Sequence, residues 1–375
     1  MSNEKLPSPV LTPETTEANE DILTRGTPRR SFLKGLGMAG ATITAGAMLS
    51  GKSRAATGSS GALSQGDAAI LRFLAAAELI ESDLWQQYTE LGGVSTGTQN
   101  PYQLSLQQLD GDGSQYISSN TLDEMSHANF LNAYLSMRGA QPVNLNKFRT
   151  LPSSKATGAR QIGRLTNLMQ LTVDTSFYTR YRSHTNPDFG ATFPQAIVLS
   201  DLPAIPRDNS DFGPTDHIQA IANTAAFHFG FIEQGGSSLY SGMAQKAHDA
   251  EVLRIVLSIG GDEVAHFLEW VDFAGNGVQT PIAPFTDPTN GLTFPDFNAT
   301  GNPLLQTNLI FPVPCEFISA KLPFCAVIRP SDPTGIAEGA VKALTGDGLF
   351  IGQSTEFFDT IAALAQAADE AQRGF

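Results

Sequence analysis

The stretch that decides the fold is GGDEVAHF, at positions 260–267, which lies inside an apolar run from Val252 to Phe273. The length and composition of this run predict a buried helix. Glu263 and His266 are three positions apart, so they project from the same face of that helix. A carboxylate and an imidazole are costly to bury without charged or hydrogen-bonding partners. The pair therefore indicates a buried polar site.

The same Glu-x-x-His spacing occurs again at Glu124 and His127, although the chain has only 6 histidines. Two other segments of helical periodicity place a lone glutamate among apolar residues. One holds Glu233, and the other holds Glu78 with Glu81 as a rival. We therefore predict four bundle helices, at about 67–91, 120–139, 215–242 and 248–274.

This set of side chains is typical of dinuclear metal sites in helical bundles, where two helices give one glutamate each and two give Glu-x-x-His. Four carboxylates balance two divalent cations, so the filled site is formally neutral and tolerates burial. Carboxylate and imidazole ligands suit both iron and manganese. The predicted cofactors are thus two divalent ions of iron or manganese, and the predicted ligands are Glu78, Glu124, His127, Glu233, Glu263 and His266. Glu81 faces nearly the same way as Glu78, so periodicity does not choose between them.

The remaining chain is longer than a simple bundle requires. Residues 92–118 and most of 141–214 have loop composition, although periodicity predicts a helix from Ala159 to Arg182 within the second segment. After Gly275 the sequence is rich in proline and predicts extended coil with short strands, ended by a helix at about 354–373. We predict a mainly α protein with three regions. These are a leader at 1–55, a four-helix bundle at 56–275 and a largely irregular C-terminal extension at 276–375. The insert 141–214 interrupts the bundle between its second and third helices.

The N-terminal region predicts export. Residues 1–26 are polar, and RRSFLK at positions 29–34 precedes a mildly apolar stretch. This arrangement resembles a twin-arginine signal peptide, and the stretch is too short and weakly apolar for a stable membrane span. We expect residues 1–55 to be removed, the twin-arginine machinery to be a partner, and the mature protein to be periplasmic or otherwise exported.

Charge and cysteine content limit the function further. A net charge of −14 argues against binding to nucleic acid or to an anionic membrane surface. The only cysteines, Cys315 and Cys325, make no zinc motif. They form either one local disulfide or two separate buried thiols.

The histidines and aromatic residues outside the six ligands have ordinary structural explanations. His228 lies off the face of Glu233 and is predicted to be a core residue or to support a ligand. His184, His217 and His248 fall in loop-like or terminal sequence and are predicted to be solvated. Trp85 and Tyr240 are assigned to the aromatic core in preference to a redox role.

Several of these motifs resemble ferritin-like proteins of the desiccation-related type, which include exported bacterial members. AELIE at 77–81 followed by Trp85 resembles the first helix of that family, and Glu233 followed by Tyr240 resembles its third. Ile259 to Phe267 is similar to its fourth helix. The resemblance covers about 67–140 and 215–275 and favours Glu78 over Glu81. The insert and the C-terminal extension depart from the family pattern.

Two functions follow as hypotheses. The first is a redox metalloprotein whose metal pair reacts with dioxygen or peroxide, and the resemblance implies a role in stress protection. The alternative is a non-catalytic scaffold or binding protein of the cell envelope with a structural or vestigial metal site. Under either hypothesis the protein could form a homo-oligomer. A hydrolase is disfavoured because the sequence lacks a Gly-x-Ser-x-Gly nucleophile motif.

Overall fold

A computed structural model describes residues 61–95, 97–181, 193–305, 312–315, 318–328 and 332–373. The predicted leader at 1–55 and His184 lie outside these residues. Within them the chain forms eight α-helices and six short strands. The helices are α1 (Gln65–Gly92), α2 (Pro101–Leu109), α3 (Gly113–Met137), α4 (Phe177–Arg180), α5 (Thr215–Lys246), α6 (Ala250–Asn276), α7 (Ile336–Gly346) and α8 (Thr355–Asp369).

Four long helices, α1, α3, α5 and α6, form a bundle in which α1 packs on α3 and α5 packs on α6. The short turn between α5 and α6 makes these two helices an antiparallel pair. All four predicted bundle helices are present, so the prediction of a mainly helical, ferritin-like fold is confirmed. None of the described helices is both long enough and apolar enough to cross a membrane.

Polar caps fix where the bundle helices begin. The Ser64 hydroxyl accepts a hydrogen bond from the N–H of Asp67 at 3.0 Å, which satisfies one free donor of the first turn of α1. Asp249 caps α6 in the same way, through the N–H of Glu251 at 2.7 Å. The buried Asp67 carboxylate also accepts the backbone N–H groups of His248 and Asp249. This contact ties the start of α1 to the start of α6.

An aromatic cluster fills the bundle core beside the polar site. The ring of Trp85 stacks on Phe229 and on Trp270, with centroids 4.9 and 5.2 Å apart. Phe273 contacts Trp270 edge to face. All four side chains are buried, which satisfies the prediction that Trp85 belongs to the aromatic core.

The region predicted as a loop at 92–118 is largely helical, so that prediction is wrong. Asn100 caps α2 through the N–H of Gln103 at 2.8 Å, and Pro101 occupies the first helical position. Tyr102, Leu106 and Leu109 are buried at helical spacing. The helix α3 also begins at Gly113, seven residues before the predicted cap Asn120, because Ser114 and Ile117 extend its buried face.

The helix predicted from Ala159 to Arg182 is also wrong over the described residues. This segment is mostly irregular, contains strand β1 (Leu171–Val173) and ends in the four-residue α4. The strand pairs antiparallel with β2 (Leu199–Leu202). The reason lies in α1, where the buried Asp83 carboxylate accepts the backbone N–H groups of Leu165 and Thr166, each at 2.9 Å. These contacts satisfy the backbone without a helix.

The C-terminal extension covers one side of the bundle. Its strands are β3 (Phe285–Thr286), β4 (Thr293–Phe294), β5 (Pro312–Val313) and β6 (Cys325–Ala326), paired as two antiparallel ribbons. The predicted terminal helix is present as α8, which packs on α1 and α7, whereas α7 packs on α5. The prediction missed α7, although Ile336, Ala337 and Ala340 give it a buried apolar face, because this helix follows the proline-rich segment that was predicted as coil. Both cysteines are thiols, Cys315 buried and Cys325 exposed, so neither predicted alternative is fully right.

Candidate metal centre

The six predicted ligands lie on four different helices and converge in the interior of the bundle. The four carboxylates are fully buried, and the two histidines are only 8% and 7% exposed. Helical spacing of three residues places each histidine beside the glutamate of its own pair. The contributions are Glu78 from α1, Glu124 and His127 from α3, Glu233 from α5, and Glu263 and His266 from α6.

These side chains form two overlapping groups, each of which could hold a metal ion. Within a group, the potential ligand atoms all lie within 4.8 Å of one another. Glu124 and Glu263 belong to both groups, so they lie between the other members. The groups are Glu78, Glu124, His127 and Glu263, and Glu124, Glu233, Glu263 and His266.

His127 turns its Nδ1 atom toward the carboxylates. This atom lies 3.2 Å from Glu124 Oε2, 3.4 Å from Glu78 Oε2 and 3.6 Å from Glu263 Oε1. The other ring nitrogen, Nε2, faces outward and lies 3.2 Å from Asp262 Oδ2. A carboxylate on the outer nitrogen fixes the orientation of the ring and leaves Nδ1 as the nitrogen available to a metal ion.

His266 has the same orientation in the second group. Its Nδ1 atom lies 3.2 Å from Glu124 Oε1 and 3.4 Å from Glu233 Oε2. Its Nε2 atom faces Asp123 Oδ2 at 3.4 Å and Asp262 Oδ2 at 3.8 Å. Asp262 therefore lies between the outer nitrogens of both histidines.

Neutral donors hold the two lone glutamates. The Trp85 indole N–H donates to Glu233 Oε1 at 3.0 Å, and the Tyr240 hydroxyl donates to Glu78 Oε1. Each contact fixes one carboxylate oxygen and leaves the second one directed into the cluster. Both aromatic residues were predicted only as core, so their contact with the candidate ligands is a new observation.

Asn120 links three elements of the site. Its side-chain N–H group donates to Glu124 Oε1 at 2.6 Å and also lies 3.2 Å from Glu233 Oε1. Its carbonyl oxygen accepts the indole N–H of Trp270 at 2.6 Å. Because Trp270 fixes which end of the amide faces Glu124, Asn120 acts as an oriented donor to that carboxylate.

The inner carboxylate oxygens fit a cation. Among the described residues, Glu78 Oε2, Glu233 Oε2 and both oxygens of Glu263 are buried without a hydrogen-bond donor. Buried polar atoms are normally satisfied, so four such oxygens in one cluster suit a positively charged ligand. Gly236 leaves room for them, since a Cβ atom at this position would lie 2.1 Å from Glu263 Oε2.

Burial and mutual repulsion change the acidity of the cluster. Burial, followed by the charge of Glu233, raises the pKa of Glu124 to about 8, and burial also raises the pKa of Glu263. Burial by itself lowers the pKa of His127, but the hydrogen bond with Glu124 and the nearby negative charge of Glu78 outweigh it and raise this pKa to about 10. The cluster thus holds protons on histidine and on carboxylate, and metal ions would displace these protons on binding.

Glu81, the rival of Glu78, occupies a different position. Among the described residues it belongs to none of the potential metal groups, and it lines a small apolar cavity instead. Glu81 is half-buried, whereas Glu78 is fully buried. Burial raises the pKa of Glu81, and the charges of Glu124 and Glu78 raise it further.

An open groove reaches the outer side of the cluster. It has a volume of about 890 Å³ and is lined by His127 and Asp262 together with Glu251 and Arg254. The carboxylate side chains of Asp123 and Asp262 are 41% and 45% exposed. The histidine side of the cluster is therefore the side that is accessible to polar solutes.

The remaining histidines take no part in this cluster. His217 was predicted to be solvated, but it is buried between Asp287 and Asp211, because both ring nitrogens find a carboxylate, at 2.9 and 3.2 Å. His228 is a buried core residue, as predicted. Its Nδ1 atom lies 2.7 Å from the Tyr88 hydroxyl. His248 is exposed, as predicted.

Three residues of the site were missed in the sequence. Asp262 precedes His266 by four positions and therefore shares its helical face, which is a signal that could have found it. Asp123 directly precedes Glu124, and nothing in that spacing indicates contact with His266 on another helix. Asn120 precedes Glu124 by four positions but was assigned to a helix cap because asparagine is common there.

Comparisons with known proteins agree with the geometry of this bundle. A family model described as a ferritin-like domain matches residues 66–270, which is more than half of the chain and spans all six candidate ligands. Neither the search of curated proteins nor the search of solved structures gave a significant match. On the family match and the buried carboxylate–histidine cluster, the chain belongs to the ferritin-like domain family.

Proposed function

We propose that this chain is an exported ferritin-like protein of the desiccation-related type. It binds two divalent ions of iron or manganese and uses them in redox chemistry with dioxygen or peroxide, as protection against oxidative stress. The observation that carries the proposal is the pair of overlapping groups that share Glu124 and Glu263. Two cation positions with two shared carboxylates match the ligand pattern of dinuclear sites in ferritin-like bundles.

The charges in the cluster support two ions. Four buried carboxylates carry four negative charges when deprotonated, and two divalent cations would balance them. The same ligand set accepts iron and manganese, so the proposal includes both metals. Glu78 and His127 would hold one ion, Glu233 and His266 the other, and Glu124 and Glu263 would contact both.

The chain's own residues prepare the site for redox chemistry. When bound, iron or manganese supplies the electron transfer to dioxygen or peroxide. Trp85, Tyr240 and Asn120 fix the carboxylates, and Asp123 and Asp262 fix the imidazoles, so that ligand geometry is set before the reaction. Burial of all four carboxylates excludes bulk water from the centre.

Elemental analysis of the mature protein, purified without chelator or affinity metal, tests the proposed site. We expect about two iron or manganese ions per chain, as the ligand pattern requires, and loss of both in the variant Glu124→Gln/Glu263→Gln. The matched control is Glu338→Gln/Glu370→Gln, because both glutamates are exposed on the C-terminal extension. A folded wild-type protein that takes up no metal after reconstitution would contradict the proposal.

A second measurement separates redox chemistry from a structural role of the metal. We expect the metal-loaded protein to consume dioxygen or peroxide in the presence of ferrous iron, and the double variant to lose this activity. An envelope scaffold would instead bind metal, unfold at a lower temperature without it, and consume neither oxidant. That outcome would replace the redox function with the structural alternative.

Export is the part of the proposal that the sequence supports through Arg29 and Arg30. We expect Arg29→Lys/Arg30→Lys to retain the full-length precursor inside the cell, because the twin-arginine route reads this pair as an address. The control Arg25→Lys changes a nearby arginine outside the motif. Equal export of both variants, measured by cell fractionation, would contradict this route.

A further inference from the structure

An apolar cavity of about 40 Å³ lies between the bundle and the C-terminal extension. Helices α1 and α5 form its inner walls, and α7, α8 and the turn between them form its outer wall. The extension thus closes a space that the bundle alone would leave open on this side. Lining residues from the different walls include Ala77, Ile80, Phe231, Ala340, Leu344 and Ile361.

The cavity and the candidate metal centre share a wall. Gly236 lines the cavity on one side and leaves space for the Glu263 carboxylate on the other, since a Cβ atom there would lie 2.1 Å from Glu263 Oε2. Glu81 also lines the cavity and lies one helical turn from Glu78 on α1. Gly236 therefore places no side chain between the cavity and the Glu263 carboxylate.

The lining determines which molecules the cavity can hold. Among the residues that the structure describes, Glu81 is the only charged one in the lining, and the others are apolar or glycine. A buried water molecule needs about 10–15 Å³ of cavity volume, so the cavity has room for roughly three water-sized molecules. Each water molecule also needs two to four polar partners, and the lining offers few. Peroxide has the same need for partners. A small apolar molecule satisfies both the volume and the lining.

We propose that this cavity binds dioxygen and passes it to the metal centre beside Gly236. Peroxide and metal ions reach the centre from the opposite direction, through the polar groove at His127 and Asp262. This inference rests on the proposed redox function, because only a centre that reacts with dioxygen needs such a route. It assigns the C-terminal extension the role of the outer wall of a gas-binding site.

Xenon is a suitable probe, because it is apolar, compact and visible by its anomalous scattering in crystals of the mature protein under pressure. We expect a xenon atom in the wild-type cavity and none in Ala340→Leu, where the larger side chain fills the space. The control Ala363→Leu makes the same change at an exposed position of α8 and should retain xenon. Val341→Phe is a second filling variant on the same wall, for use if Ala340→Leu does not fold.

Oxidation of ferrous iron by the same variants tests the route. With dioxygen as oxidant, we expect the cavity-filling substitution Ala340→Leu to slow oxidation of ferrous iron by about tenfold. This is the low end of the change in rate that one added methylene causes in an apolar substrate pocket. With hydrogen peroxide, the filled variant and the wild type should react at the same rate. The control variant should match the wild type with both oxidants.

The two measurements keep the two proposals distinguishable. Absence of xenon from the wild-type cavity, or an unchanged dioxygen rate in a variant that has lost xenon, would overturn the oxygen route and leave the redox function in place. Equal slowing with both oxidants would also overturn it, because the substitution would then have disturbed the centre itself. If the wild type reacts with neither oxidant, the redox function fails and the route fails with it, whatever xenon shows.

Discussion

Asp262 Oδ2 lies 3.2 Å from His127 Nε2 and 3.8 Å from His266 Nε2, so one carboxylate contacts the outer nitrogens of two imidazoles on different helices. Asp262 is on the outer side of the cluster and 45% exposed, whereas both Nδ1 atoms face the buried glutamates. The arrangement matches the carboxylate–histidine–metal pattern in which an outer acid fixes the ring and increases its basicity. Asp262 therefore positions both imidazoles of the candidate metal centre.

The variant Asp262→Asn should weaken metal binding without removing a direct ligand. Loss of an outer carboxylate of this kind typically lowers metal affinity by about 10–100-fold. Metal titration followed by calorimetry measures this change. Asp359→Asn, at an exposed position of α8, is the control and should bind as the wild type does. Equal affinity of Asp262→Asn and wild type would show that the imidazoles are positioned by other contacts.

Substitution of Gly236 on α5, with Gly261 on α6 as the control, tests how closely these two helices approach each other. Gly236→Ala should reduce metal binding and stability together, because its Cβ atom would lie 2.1 Å from Glu263 Oε2. Glu263 is fully buried, so its carboxylate has little space to move into, and overpacking of this kind costs about 1–3 kcal/mol. Thermal unfolding and metal content are the two measurements.

The matched control is Gly261→Ala, because Gly261 is also inside a helix and a Cβ atom there would meet no atom within 4 Å. Replacement of glycine by alanine in a helix interior stabilises the helix by about 1 kcal/mol. We therefore expect opposite signs for the two substitutions. Stabilisation by Gly236→Ala would show that the two helices are not in close contact at Glu263.

Local patterns were sufficient to predict the bundle and to select five of the six candidate ligands, whereas the choice of Glu78 over Glu81 came from the resemblance to ferritin-like proteins. Helical periodicity and the Glu-x-x-His spacing depend only on neighbours within one or two turns, and the structure brings all six selected side chains together. Glu78 and Glu81 show the limit of this approach. Both residues share one face of α1, but Glu78 joins the cluster and Glu81 lines the cavity. The packing of α5 and the C-terminal extension against α1 makes this difference.

The insert could not be predicted in the same way, because a distant residue determines its path. Asp83 contacts the backbone of Leu165, which is 82 positions away in the sequence. The apolar residues of the insert mimic a helix, yet Leu165, Leu168 and Leu171 are buried in irregular or extended backbone. Asn120 was misassigned for a similar reason, since its partners are on other helices.

Asp83 should therefore be critical for stability although it lies outside the metal centre. Its buried carboxylate accepts two backbone N–H groups and the Thr166 hydroxyl, and it pairs with Arg149. Asp83→Ala leaves at least two buried donors unsatisfied, at about 1–3 kcal/mol each. We expect a loss of roughly 2–6 kcal/mol in the free energy of unfolding, measured with urea.

The control for this prediction is Asp359→Ala, which removes an exposed carboxylate from α8 and should change stability little. Fast proteolysis of the insert in Asp83→Ala, compared with slow proteolysis of the bundle, would locate the defect. A variant as stable as the wild type would mean that other contacts hold the insert against α1.

The metal-free protein should lose stability as pH rises, and bound metal should abolish or reverse this dependence. In the metal-free protein the pKa of Glu124 is raised to about 8 and that of His127 to about 10, both above their unfolded values. Between about pH 6.5 and 10 the folded state therefore holds more protons than the unfolded state, so stability falls as pH rises.

Metal ions replace these protons, so the loaded protein should keep or gain stability over the same range, because fewer protons compete for the ligands. Thermal unfolding of both forms at pH 6.5, 8 and 9.5 measures the effect. In Glu124→Gln the metal-free slope should become shallower, since one titrating group is gone. If the unfolding temperature of the metal-free protein rises with pH, Glu124 and His127 do not hold extra protons in the folded state. The buried carboxylates would then be ionised, with their charge neutralised by other groups.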